Sequence, residues 1–225
     1  MLKDKIKRGE KLIGSYVQLA DPNISRIMGL AGFDFIWVDF EHSYMSYETL
    51  LSHILALRST GSPVVVRAPQ NDLTATKKIV EMGVDGIIFP MVRTADEANT
   101  AIANTLYPPY GARGFGPMGA IDYGMRSVPD YIANTRDELC RFIQIEHKDA
   151  IEQLDEITQT IQETVDRLHA AGKYVGIASG GIADAVLAHW SSFGVEMLCG
   201  GADFDYLREG ALANRKNLEN IHKKA

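Results

Sequence analysis

Apolar residues in this chain arrive in short, β-rich runs: "LIGSYVQL", "FDFIWVDF", "PVVVRAP", "GVDGIIFPMV", "CRFIQIEH", "KYVGIAS" and "VEMLCGG". Between most of them lie segments whose apolar residues recur at helical spacing, such as "YETLLSHILALRST", "TATKKIVEMG", "ADEANTAIANTL" and "QETVDRLHAAG". Strand alternating with helix implies parallel pairing. A near-continuous apolar strand such as Ile87 to Val92 must be covered on both faces. The recurring "AGFD", "MGVD" and "FGVE" read as helix C-caps that feed the next strand. This rhythm predicts an α/β chain folded as a (β/α)8 barrel, with residues 1–225 forming one domain. A doubly wound open sheet shares the alternation, but no Gly-x-Gly-x-x-Gly follows the first strand and no Walker sequence occurs.

The strand count is one short. "CRFIQIEHKDAIEQLDEITQ" runs into "TIQETVDRLHAAGKYVGIAS" with no strand between two helical stretches, so the strand-six βα segment is missing near Glu156 to Ile161. Either the chain has lost that segment, or residues belonging there were present but untraced. The second is favoured, because losing a central strand leaves two parallel edges unpaired.

Barrel chemistry sits where strands end at their C-terminal tips. Strand two ends in Asp39 to His42, strand three in Arg67, strand four in Pro90 to Arg93, and strand five in Gln144 to His147. The strands counted seventh and eighth end in Ser179 to Gly181 and Gly200 to Asp203. Asp39 lies three residues before His42, close enough to bond one imidazole nitrogen and leave the other free for proton transfer. Arg67, after "PVVV", needs an anion at that depth: a substrate carboxylate, a developing oxyanion, or Glu41 or Glu146. Gln144 and Glu146 alternate onto one strand face, where the carboxylate suits a hard divalent cation or an ion pair. The loop "LYPPYGARGFG" carries Arg113 and is long enough to serve substrate binding or a subunit contact. The glycine pairs in "ASGG" and "LCGGAD" fit either an anion site or tight turns.

Composition narrows the function further. The 225 residues are 46% hydrophobic and 23% charged, with a formal net charge of −6, which predicts a soluble protein and argues against nucleic-acid binding. No apolar run approaches a membrane span, and the first residues do not form a signal core, so the cytoplasm is expected. Cys140 and Cys199 sit singly in apolar runs and are read as buried free thiols.

Five of these segments, "FDFIWVDFEH", "PVVVRAP", "IIFPMVRTADEA", "YPPYGARGFG" and "RFIQIEHKDAIEQLDEI", resemble the HpcH/HpaI aldolases, the metal-dependent class II pyruvate aldolases, in order along nearly the whole chain. The resemblance implies a barrel assembled as a homo-oligomer, usually a hexamer with a swapped terminal helix. It implies reversible cleavage of a 4-hydroxy-2-oxo acid, or a keto-deoxy sugar acid, to pyruvate and an aldehyde. It further implies that His42 and Asp39 form the proton-transfer pair and that Arg67 lies beside the pyruvate keto oxygen. Glu146 would be one ligand of a Mg2+, Mn2+ or Co2+ ion, with Gln144 lining its site; Arg113 is expected at the distal end of the substrate. The family's second protein ligand is an aspartate in a Gly-Pro-x-Asp-Leu segment ending strand six, which has no counterpart here. No lysine stands at a strand tip except Lys148, one residue past the rim, so a Schiff base is not expected. A phosphosugar isomerase or epimerase, and a shortened non-catalytic paralogue, are the alternatives.

Overall fold

The computed structural model describes residues 1–147 and 161–223. Its parallel strands are β1 (Leu12–Val17), β2 (Phe35–Asp39), β3 (Val64–Arg67), β4 (Gly86–Phe89), β5 (Cys140–Ile143), β6 (Gly176–Ala178) and β7 (Met197–Ala202). The helices are α1 (Leu2–Lys7), α2 (Pro22–Leu30), α3 (Tyr47–Arg58), α4 (Leu73–Glu81), α5 (Ala95–Thr105), α6 (Val128–Glu138), α7 (Ile161–Ala170), α8 (Asp184–Ser191) and α9 (Asp203–His222). Gly32, Gly83 and Gly194 hold positive φ angles of 88°, 84° and 81°, so the glycine in each of the three repeats turns the chain from a helix toward the next strand.

The strand order is β5-β4-β3-β2-β1-β7-β6, with every pairing parallel. Among the described residues β5 and β6 therefore stand at the two ends of the sheet. The fold is α/β, a (β/α)8 barrel with one segment missing. The strand-six βα segment has no counterpart among the described residues between β5 and β6. Residues 156–160, where the gap was expected, lie outside the described residues, as does Lys148.

Alternation along each strand sorts the side chains into two layers. Ile36, Val38, Val64, Val66, Ile87 and Phe89 point outward and pack with Leu50, Ile54 and Leu57 of α3 and Ile79 and Val80 of α4. Phe35, Val65, Ile88, Cys140, Met197 and Cys199 point inward, where Leu2 and Ile6 of α1 join them. Gly14 on β1 lacks a side chain because a Cβ would collide with the Phe35 ring. Before β5 the chain inserts a 3-10 turn (Gly119–Gly124) and α6, capped by Ser127 with a proline in its first turn. Burial pushes the Cys140 and Cys199 thiols up to about 12, as expected of unreactive core cysteines.

Leu50 and Leu55 share α3, but Leu50 is 0% exposed and Leu55 50%. In urea unfolding, Leu50→Ala should lose about 2–5 kcal/mol through its cavity. Leu55→Ala should stay within about 0.5 kcal/mol of the parent. Equal losses would contradict the layer assignment.

Candidate active site

The inward face of β2 carries Phe35, Trp37 and, at its C-terminal end, Asp39; that of β3 carries Val65 and then Arg67. Sheet register sets Asp39 directly opposite Arg67. Arg67 Nε donates to Asp39 Oδ1 at 2.9 Å and Nη2 to Oδ2 at 2.5 Å, a two-point clamp with both residues buried. Gln18, just past β1, donates its amide to Asp39 Oδ2, and the backbone N–H groups of Glu41 and His42 donate to Oδ1. Burial pushes the Asp39 carboxyl up, but the hydrogen bonds from Arg67 and Gln18 and the Arg67 charge outweigh it. The net pKa is below 3.8.

This geometry corrects the expected Asp39–His42 pairing. Asp39 receives the backbone N–H of His42, while the imidazole Nε2 faces Glu41 Oε2 at 3.7 Å on the exposed rim. Asp39 is saturated by Arg67, Gln18 and the turn, so it shapes the loop that carries His42 and does not bond the ring.

Arg67 keeps one nitrogen for the barrel mouth. Nη1 lies 3.2 Å from Glu41 Oε2 and 3.5 Å from Gln144 Oε1. Gln144 Nε2 donates to Glu146 Oε2 at 2.7 Å, and Glu146 Oε1 accepts the Met91 N–H at 2.8 Å just past β4. Asp39, Glu41, Arg67, Gln144 and Glu146 thus form one connected cluster, with His42 at its edge. Burial raises the Glu41 pKa, Arg67 and His42 oppose the rise, and nearby Glu146 adds to it.

A hard divalent ion suits this chemistry. Glu41 and Glu146 bring two carboxylates close enough to repel, Glu41 Oε2 is buried with the Arg67 Nη1 charge 3.2 Å away but no hydrogen bond, and Gln144 adds an amide oxygen. Magnesium is commonly held by one or two carboxylates with water completing its shell. Among the described residues no group of three or more His, Cys, Asp or Glu side chains forms a complete protein cage.

Arg113 does not join this cluster. It is 1% exposed, stacked at 3.9 Å over Tyr107, with Nη2 donating to Tyr131 at 3.2 Å; it braces the loop before β5. At the glycine pairs, Ser179 Oγ donates to the Gly181 carbonyl, and the Tyr206 and Ser15 hydroxyls donate to those of Gly200 and Gly201. Asp203 caps the chain after β1 by accepting the N–H groups of Gln18 and Leu19. Glu41 pairs with Arg67 as one of the partners expected from sequence, and Gln18 completes the cluster beyond the residues singled out there. Both follow apolar strands, the same signal that marks Asp39 and Arg67.

A parallel β/α barrel with charged groups gathered where its strands end is the architecture of barrel enzymes. The HpcH/HpaI aldolase/citrate lyase family model matches residues 12–173, and the chain belongs to that family. It is 29% identical to the 4-hydroxy-2-oxo-heptane-1,7-dioate aldolase of Salmonella dublin, over 94% of this chain and 91% of the relative. It is 31% identical to a hydroxypyruvate/pyruvate aldolase of Delftia acidovorans, over 94% and 90%. An HpcH/HpaI aldolase from Desulfitobacterium hafniense has the same fold, with a TM-score of 0.85 at 24% identity, over 98% of this chain and 97% of that one. By family the chain is a carbon–carbon lyase, and such aldolases are generally divalent-metal dependent. The Salmonella alignment spans 242 positions but only 94% of these 225 residues, so about 30 positions lack a counterpart here, roughly one βα unit.

The Asp39–Arg67 clamp ties stability to pH. Asp39 has its pKa depressed by folding, so its contribution is present above the unfolded value near 3.8 and is lost as pH falls through the lower folded value. Asp39→Asn should cost about 3–5 kcal/mol at neutral pH by leaving Arg67 buried and unpaired. The gap between parent and variant in urea unfolding should narrow as pH drops below about 4. A gap independent of pH would show that Asp39 is not the ionised partner.

Proposed function

We propose that this chain is a class II pyruvate aldolase that reversibly cleaves a 4-hydroxy-2-oxo acid to pyruvate and an aldehyde, with the whole chain acting as one barrel domain. The observation that carries this reading is the Arg67 guanidinium, held on two sides by Asp39 so that Nη1 alone turns to the carboxylates and amide of the mouth. The names of the Salmonella and Delftia relatives support the substrate class.

Cleaving the C3–C4 bond leaves its electron pair on the pyruvate fragment as an enolate and turns the C4 hydroxyl into the aldehyde carbonyl. Arg67 Nη1 stabilises the enolate oxygen; because Asp39 fixes the guanidinium beforehand, no reorganisation is needed as charge develops. His42 accepts the C4 hydroxyl proton, directly or through water, with its Nε2 3.7 Å from Glu41 Oε2. Gln144 orients Glu146, and the Met91 N–H holds the second carboxylate oxygen. Glu146, with Glu41 next to it, would hold a Mg2+, Mn2+ or Co2+ ion. When bound, such an ion supplies Lewis acidity and a template for the oxo acid. The missing strand-six segment leaves it fewer protein ligands, so metal affinity is weak.

The aldolase names of the relatives favour this reading over a phosphosugar isomerase or epimerase. α9 carries Leu207, Leu212, Leu218 and Ile221 exposed along its length, which supports a homo-oligomer, a hexamer or a trimer of dimers. No helix among the described residues is long and apolar enough to cross a membrane.

His42→Ala and Arg67→Ala should each lower metal-dependent pyruvate release from a 4-hydroxy-2-oxo acid by about a hundredfold or more with the fold intact by circular dichroism. Near-parent turnover in either would remove its role. Glu146→Gln should weaken manganese binding measured by titration, and an unchanged isotherm would take Glu146 out of the metal site. Light scattering should return a mass several times 24.8 kDa, and a monomer would end the oligomer reading.

A further inference from the structure

Trp37 lies inside the barrel one inward position below Asp39, with Tyr16 on β1 and Val65 on β3 as its register neighbours. Its ring packs 6.0 Å from that of Tyr16, and the Arg67 guanidinium carbon sits 5.0 Å from its centroid. The indole Nε1–H is buried and meets no acceptor among the described residues. Asp39, the next inward position on the same strand, is already bonded by Arg67 and Gln18. A purely packing role would be filled by leucine or phenylalanine without burying an unpaired donor, which costs free energy. An acceptor that arrives with the ligand resolves the mismatch, and a 2-oxo acid carries both a carboxylate and a keto oxygen.

We infer that Trp37 is a substrate-binding residue: its ring seats the Arg67 guanidinium, and its Nε1–H donates to an oxygen of the oxo acid held there. The ring supplies a flat electron-rich face against which the guanidinium loses little freedom when Asp39 clamps its far edge. The N–H then adds a second fixed donor beside Arg67 Nη1, so that one anion meets donors of two kinds. This inference rests on the proposed function, and the two can fail separately.

The chain has two tryptophans, and the second, Trp190 on α8, packs against His189 and Phe193. Trp190→Phe therefore leaves Trp37 as the single fluorescent indole. Pyruvate titrated into this variant in the presence of Mn2+ should change its emission saturably, with the dissociation constant that calorimetry gives for the parent chain. Trp37→Phe keeps an aromatic face and removes the N–H, and should weaken calorimetric pyruvate binding about tenfold, the effect of one hydrogen bond to an anion. Trp37→Leu removes both and should weaken it further. Arg67→Ala should abolish binding and the fluorescence response. Parent-like affinity in Trp37→Phe, with emission of the Trp190→Phe protein unmoved by pyruvate, would overturn the role of Trp37 while leaving Arg67 in place. Absence of saturable pyruvate binding in the parent, or undiminished binding in Arg67→Ala, would overturn the functional reading and this inference with it.

Discussion

Everything at the rim depends on an ion pair fixed by sheet register. β2 and β3 run parallel with Asp39 opposite Arg67, so the backbone ladder itself brings a carboxylate and a guanidinium together at the mouth of an otherwise apolar barrel. Neither charge is tolerable there alone. Together they leave the guanidinium with two nitrogens spent on structure and one available for chemistry. The same carboxylate collects Gln18 from β1 and the two N–H groups of the turn bearing Glu41 and His42. One side chain thereby joins three strands and shapes the loop that carries Glu41 and His42.

The missing βα segment lies outside the strands that carry the clustered polar groups of the rim. Asp39, Glu41, His42, Arg67, Gln144 and Glu146 all follow β2, β3 or β5, which stay contiguous through β4 on one side of the sheet. The fold of the barrel relatives persists at a TM-score of 0.85 despite the absence. The groups proposed for anion stabilisation and proton transfer are therefore retained, whereas under the proposed function an ion would have Glu146, Glu41 and ligands from solvent or substrate. Weaker metal retention is the expected difference between this chain and the aldolases it resembles.

Much of this architecture is legible in the sequence because it is local. The apolar runs mark the strands, the glycine of each repeat takes the left-handed conformation after its helix, and polar residues just past the runs mark the rim. What the sequence conceals is non-local. That Asp39 is exhausted by Arg67, leaving the His42 ring to Glu41, follows from cross-strand register and side-chain direction, not from a three-residue spacing. Arg113 lies in a loop whose glycines and prolines suggest exposure, yet Tyr107 and Tyr131 enclose it because the loop folds back over α5 and α6. Helix α6 is signalled by its Ser127 cap and early proline, but its polar composition gives only a weak apolar stripe.

The convergence of cation, guanidinium and imidazole is tested most directly by a crystal structure of the chain with manganese and pyruvate, the ion located by its anomalous scattering. The peak should lie against Glu146 and Glu41, with the pyruvate oxygens reaching Arg67 Nη1 and the His42 ring facing the methyl carbon. A manganese peak remote from Glu146, or pyruvate seated away from Arg67, would contradict an aldolase site built on this rim.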